Sequence, residues 1–171
     1  MPASKPLCIW HGNCQDGFGA AWSVRYALGD DVEFFPGVYQ DEPPDVTGRD
    51  VILVDFSYKR PVLAAMATSA RLLVVIDHHK SAAEDLAGFP DLPPETAIWA
   101  SACHYSGFPF VQFDMNRSGA GMTWDYFNPH EPRPPLINHI EDRDLWRFKL
   151  PRTRAIAAAL FSYPYDFETW D

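Results

Sequence analysis

A chain of 171 residues that is 47% hydrophobic carries enough apolar material for one globular domain with a sizeable core, and it is not a disordered chain. No apolar run approaches the length of a membrane span, and the opening Met1-Pro2-Ala3-Ser4-Lys5-Pro6 lacks the apolar core of a signal peptide, so a cytoplasmic location is expected. A net charge of -9 argues against broad non-specific binding to long nucleic acid, yet leaves room for a phosphate substrate held by metal ions and local arginines.

In chain order, Leu7-Cys8-Ile9-Trp10 reads as a first strand, ending in the polar, glycine-punctuated loop His11-Gly12-Asn13-Cys14-Gln15-Asp16-Gly17. Residues 17–28 fit a helix with Phe18, Ala21, Trp22, Val24 and Ala27 on its apolar face and Gly29 as its stop. Residues 32–36 form a second strand, cut short by Pro36, and residues 43–49 a loop. Val51-Ile52-Leu53-Val54 is a buried strand with Asp55 at its end, and residues 61–69 fit a helix with proline in the first turn. Leu72-Leu73-Val74-Val75-Ile76 then runs straight into Asp77-His78-His79. An apolar run of this kind suits a strand buried on both faces.

The second half is less regular. Residues 80–86 suit a short helix, and residues 96–113 mix short apolar runs with aromatics that are assigned to core packing rather than to base stacking. Ser118 caps a helix that continues through residues 122–127, and Pro134-Pro135 precede another that carries Glu141, Asp142 and Asp144. Residues 153–161 form a last, alanine-rich helix. The tail keeps Tyr163, Tyr165, Phe167 and Trp170, which suggests packing on something, a segment outside this chain being one candidate. The alternation of strands and helices predicts an α/β fold with a mainly parallel sheet flanked by helices.

Three apolar strands thus deliver His11, Asp55 and Asp77 at their carboxyl ends, where ligands bind in open α/β sheets. Carboxylates with some imidazole nitrogen form a hard donor set suited to Mn²⁺ or Mg²⁺, and less to Zn²⁺. Several carboxylates in one crevice repel one another without cations between them. Two ions roughly 3.5–4 Å apart resolve this and activate a water for attack on phosphorus. Asp77 is the expected bridging carboxylate, with His78 or His79 as a ligand or as the group that orients the leaving oxygen. The three cysteines form no C-x-x-C pair, so a disulfide framework is not expected.

On these residues the chain resembles the DHH (Asp-His-His) phosphoesterase superfamily, in its RecJ-like and oligonucleotide-phosphoesterase branch. Val74-Val75-Ile76-Asp77-His78-His79 is similar to the signature that names the family, and residues 11–17 are similar to its first motif. Asp55 matches the second motif and Asp142 the last acidic one. Arg117-Ser118-Gly119-Ala120 followed by Trp124 is similar to a segment of one branch. The resemblance implies a catalytic domain over residues 1–150, and residues 151–171 as a helix and tail leading toward a second, smaller substrate-binding domain.

It also implies a hydrolase that cleaves a phosphodiester or phosphoanhydride in a nucleotide or short oligonucleotide with a metal-activated water. The alternatives are a phosphatase of small non-nucleotide phosphates and a non-catalytic domain that binds a nucleotide or metal. A homodimer is left open. The implied metal ligands are His11, Asp16, Asp55, Asp77, His78 and Asp142, with Asp77, His78 and His79 catalytic. His79, Arg117, Ser118 and Gly119 are the implied substrate contacts, although Ser118-Gly119-Ala120 serves equally well as a plain helix cap. Asp144 is assigned a structural or supporting role, and His104, His130 and His139 are read as surface or core histidines. Lys80, Arg143 and Arg147 are read either as phosphate contacts or as ion-pair partners. Relatives carry Asp-x-Asp-Gly where this chain has Cys14-Gln15-Asp16-Gly17, so one of the two ions is expected to bind more weakly. Cys14 itself is expected to be an inert thiol.

Overall fold

The computed structural model describes residues 5–94 and 107–171. Within them, five strands form one all-parallel sheet in the order β2-β1-β3-β4-β5. The strands are β1 (Leu7–His11), β2 (Glu33–Gly37), β3 (Asp50–Val54), β4 (Leu72–Asp77) and β5 (Phe110–Phe113). The helices are α1 (Gln15–Leu28), α2 (Arg60–Ser69), α3 (Lys80–Asp85), α4 (Gly119–Phe127), α5 (Pro135–Asp144), α6 (Thr153–Leu160) and α7 (Phe167–Trp170). The α/β expectation therefore holds. The two strands that follow one another without an intervening helix, β2 and β3, do not pair. β1 lies between them, so both crossovers remain parallel. The segment read as irregular ends in a real strand, β5. The expectations that fell on Trp99, Cys103 and His104 lie outside the described residues.

Strand periodicity explains the two-sided core. Alternate residues point to opposite faces. Cys8, Trp10, Ile52, Val54, Val74 and Ile76 pack against α1, α4 and α5 on one face. Leu7, Ile9, Val51, Leu53, Leu73 and Val75 pack with α2 and the loop residues Phe56 and Leu86 on the other. Every residue of β3 and β4 is buried, as continuous apolar runs in a parallel sheet require. Among the described residues no helix is long and apolar enough to cross a membrane.

The aromatic tail packs on this same domain. Phe167 stacks on Phe18 at 4.9 Å and meets Phe34 edge-on at 4.6 Å, while Trp170 meets Phe18 at 4.8 Å. Asp171 accepts hydrogen bonds from Trp22 and Arg25, and Gln15 donates to Ala157 in α6 at 3.0 Å. Residues 151–171 thus form part of the α1 layer.

The chain reverses direction across the sheet between β1 and β3. From β1 it moves outward to β2, then returns past β1 to β3. Such switch points open a crevice at the carboxyl ends of the strands, and here that crevice lies between His11 and Asp55. The turn from β1 into α1 is tight. A Cβ on Gly17 would lie 2.3 Å from the His11 carbonyl oxygen, a backbone atom that cannot swing aside. Gly17→Ala is expected to destabilise the fold by roughly 1–3 kcal/mol, seen as a lower urea midpoint with an unchanged slope.

Candidate metal centre

Asp55 follows the last residue of β3 and is 1% exposed. Its backbone sits at φ 54°, an unusual value for a residue with a side chain, and is fixed by its N–H donating to the Ile76 carbonyl at 2.9 Å. This bend carries the carboxylate into the crevice between two imidazoles. Oδ2 lies 3.4 Å from His11 Nδ1, and Oδ1 lies 3.1 Å from His78 Nε2. Among the described residues these contacts lack hydrogen-bond geometry, and neither the Asp55 oxygens nor His11 Nδ1 has another hydrogen-bond partner.

His78 reaches beyond Asp55. Its Nε2 is 3.6 Å from Asp16 Oδ2 and 3.6 Å from Asp144 Oδ2. Two groups of donor atoms result, His11 with Asp55 and His79, and Asp16 with His78 and Asp144, each gathered within 4.8 Å. Asp55 belongs to the first and faces the histidine of the second, so it stands where a carboxylate shared between two ions would stand.

Asp77 does not hold that position. Its Oδ1 accepts the backbone N–H groups of His78 at 2.7 Å and His79 at 3.2 Å, and lies 2.6 Å from His79 Nδ1. A carboxylate oxygen only accepts, so that ring nitrogen carries the proton. Asp77 therefore orients both histidines and fixes the His79 tautomer. Its second oxygen is buried without a partner.

Asp16 belongs to the first turn of α1 rather than to a loop. Its carboxylate accepts the N–H groups of Gly119 at 2.7 Å and Ala120 at 2.9 Å, the opening of α4. The N–H groups expected to hold a phosphate are thus engaged by Asp16. Ser118 is engaged too, since its N–H donates to Glu141 and its hydroxyl accepts from Gly121 N–H. Arg117 pairs with Asp125 and donates to the Gly121 carbonyl. Arg117, Ser118 and Gly119 brace the site from behind. Gly119 has to be glycine, because a Cβ there would lie 2.5 Å from the Asp55 Cβ.

The expected ligand Asp142 is not brought into the cluster. Its carboxylate accepts from Lys149 N at 2.8 Å, Leu150 N at 3.0 Å and the Thr153 hydroxyl at 2.6 Å, tying α5 to the start of α6. Two residues along a helix is about 200° of turn, so Asp142 and Asp144 point to opposite sides and only one can face the crevice. Asp144 is the one that does. Cys14 precedes α1 and belongs to neither group of donors. Arg147 approaches Glu141 and donates to the Asn116 carbonyl, Lys80 lies 3.7 Å from Glu84, and Arg143 lies 3.8 Å from Asp144.

The charges are strongly coupled. Burial pushes the Asp55 carboxyl up, but the His11 and His78 imidazoles outweigh it and hold it down at about 2. Burial likewise raises Asp16, and the neighbouring Asp55 and Asp144 charges raise it further. Asp144 is raised chiefly by burial, against the pull of His78. Burial lowers His78, but Asp55, Asp16 and Asp144 prevail and lift it to about 9. The contact with Asp77 raises His79. Burial and the adjacent Asp55 push the Cys14 thiol up to about 12, so it stays protonated near neutral pH.

No family model matches the chain. It is similar to the uncharacterized protein R106 of Acanthamoeba polyphaga mimivirus, 30% identical over 181 residues that cover 96% of this chain and 39% of that protein. It also resembles the crystal structure of an uncharacterized protein from Helicobacter pylori G27, with a TM-score of 0.56 and 12% identity over 84% of this chain and 45% of that one. The second likeness is one of fold alone. The chain spans less than half the length of either protein.

The two acidic residues of α5 have separable roles. Asp144→Asn is expected to weaken Mn²⁺ binding at least tenfold in equilibrium dialysis while leaving the urea midpoint of the metal-free protein unchanged or raised. Asp142→Asn is expected to do the reverse, lowering stability by roughly 1.5–3 kcal/mol through its charged hydrogen bonds while metal binding persists.

Proposed function

We propose that the chain is a metal-dependent phosphohydrolase of the DHH phosphoesterase type, cleaving a phosphodiester or phosphoanhydride bond in a nucleotide or short oligonucleotide. The observation that carries this reading is the Asp55 carboxylate, buried between two groups of His and Asp donors, with the His11 and His78 rings beside its oxygens and no hydrogen bond to either oxygen among the described residues. The His11 and His78 rings offset part of the cost of burying that carboxylate, and a divalent ion between the donors would offset it more fully. Hard oxygen donors with a minority of imidazole nitrogen fit Mn²⁺ or Mg²⁺.

Asp16, His78 and Asp144 would hold one ion and His11 with Asp55 the other, with Asp55 facing both and His79 left for substrate. Bound there, a pair of divalent ions lowers the pKa of water and neutralises charge on a phosphoryl group. The chain's own contribution is positional. The α4 N–H groups fix Asp16, and Asp77 fixes His78 and His79 in ring orientation and tautomer. The His79 side chain is 35% exposed, more than that of His78 at 13%, so it is the imidazole placed to meet substrate. With Nδ1–H donated to Asp77, its Nε2 donates to a phosphoryl or leaving oxygen in the doubly protonated imidazolium, the form that the contact with Asp77 favours.

The test is Mn²⁺-dependent turnover of bis(p-nitrophenyl) phosphate, beside p-nitrophenyl phosphate as a monoester and pyrophosphate as an anhydride. Diester or anhydride cleavage that a chelator abolishes is expected. Asp55→Asn should remove it, and Asp77→Asn should cost about 10–100-fold in metal affinity. Preferential turnover of the monoester would favour the small-phosphate phosphatase instead. Metal binding with no turnover of any of the three would overturn the catalytic reading.

A further inference from the structure

Beside the cluster lies a cavity of about 470 Å³, bounded by the loop after β2, the loop after β3, and the first turns of α2 and α3. It shares two walls with the metal centre. Tyr39 lines the cavity, and its ring meets the His11 ring edge-on at 5.3 Å. Ser81 lines it from the first turn of α3, the helix capped by His79. The cavity therefore adjoins the cluster on the side of His11 and His79.

The lining limits the chemistry of an occupant. Tyr39 and Tyr58 are linked through Phe56, at 4.9 Å from each ring, and give the cavity a rigid aromatic side. The Tyr58 hydroxyl is buried and has no hydrogen-bond partner among the described residues. Asp41, Glu42 and Asp85 line the remainder against one ammonium, that of Lys59. Asp85 already accepts the Arg60 N–H at 2.8 Å, whereas Asp41 and Glu42 are exposed on their loop. Carboxylates in excess repel a phosphate chain. They accept hydrogen bonds, and aromatic rings stack on flat ones. The space suits a neutral, flat group rich in N–H donors.

We propose that this cavity is the subsite for the organic group of the phosphoester, and that Asp41 and Glu42 select a nucleoside whose base presents N–H donors, guanosine above uridine. Guanine offers a ring N–H and an amino group side by side, which one carboxylate accepts as a pair. Uracil offers a single ring N–H flanked by two carbonyl oxygens, so it cannot make the paired contact and its carbonyls meet the carboxylate unfavourably. The assignment rests on the phosphohydrolase reading for its link to the cluster, but not for the binding itself, which requires neither metal nor phosphate.

The experiment is calorimetric titration of the metal-free full chain with guanosine, uridine, choline and inorganic phosphate. Guanosine is expected to bind at least tenfold more tightly than uridine, without competition from phosphate. Asp41→Asn and Glu42→Gln, both on an exposed loop, should each weaken guanosine at least fivefold at an unchanged melting temperature. Equal affinity for guanosine and uridine, no binding of either, or indifference to both substitutions would overturn the proposal. So would tighter binding of choline, which would mark a cage for cations. Turnover of bis(p-nitrophenyl) phosphate, whose aryl groups offer no donors, is read separately. Turnover without guanosine binding removes the subsite alone. Guanosine binding without turnover removes the hydrolase reading and leaves the subsite.

Discussion

Four carboxylates converge at the carboxyl ends of three central strands, and the fold is arranged to keep them there. Asp55, Asp77 and Asp16 are buried almost completely, and Asp144 stands close by. Burial makes negative charge costly, and mutual repulsion adds to the cost. Around Asp55 the compensation comes from His11 and His78, which hold it ionised while its neighbours Asp16 and Asp144 are driven the other way. These divergent shifts among adjoining groups of one crevice follow from burial, like-charge proximity and the nearby imidazoles.

Asp16 couples this electrostatic problem to the packing. By accepting two N–H groups at the start of α4 it joins α1 to α4 and places its own carboxylate against the helix dipole. The same docking presses Gly119 against Asp55, and lower along the two helices Trp22 stacks on Trp124 at 5.8 Å. The helix opening that looks like a phosphate site in isolation is therefore a structural joint. Its ligand is a carboxylate from the same chain.

The two faces of the sheet divide the labour. One carries α1, α4, α5 and the aromatic tail, a dense layer that supplies Asp16 and Asp144 from behind the cluster. The other carries α2 and α3 under irregular loops, and there the cavity beside His11 and His79 opens. One side holds the donors while the other is shaped by loop residues such as Tyr39, Asp41 and Glu42.

Much of this was legible in the residues. Continuous apolar runs at 51–54 and 72–76, each closed by Asp, specified buried parallel strands that end in a site, because only a strand covered on both faces tolerates such a run. His11, Asp55, His78 and His79 follow apolar strands and Asp16 is implied by the family resemblance, and the fold brings all five together. What the sequence alone left undecided depends on direction. Asp142 and Asp144 share one helix two residues apart, and only the docking of α5 on α6 shows that the first turns to Lys149, Leu150 and Thr153 and the second to His78. Asp77 and Asp55 both end apolar strands. Only the left-handed bend at Asp55, and the backbone N–H groups that engage Asp77, decide which carboxylate faces both donor groups. Local pattern sets which residues reach the crevice. Their orientation within it is set by contacts between segments distant in the chain.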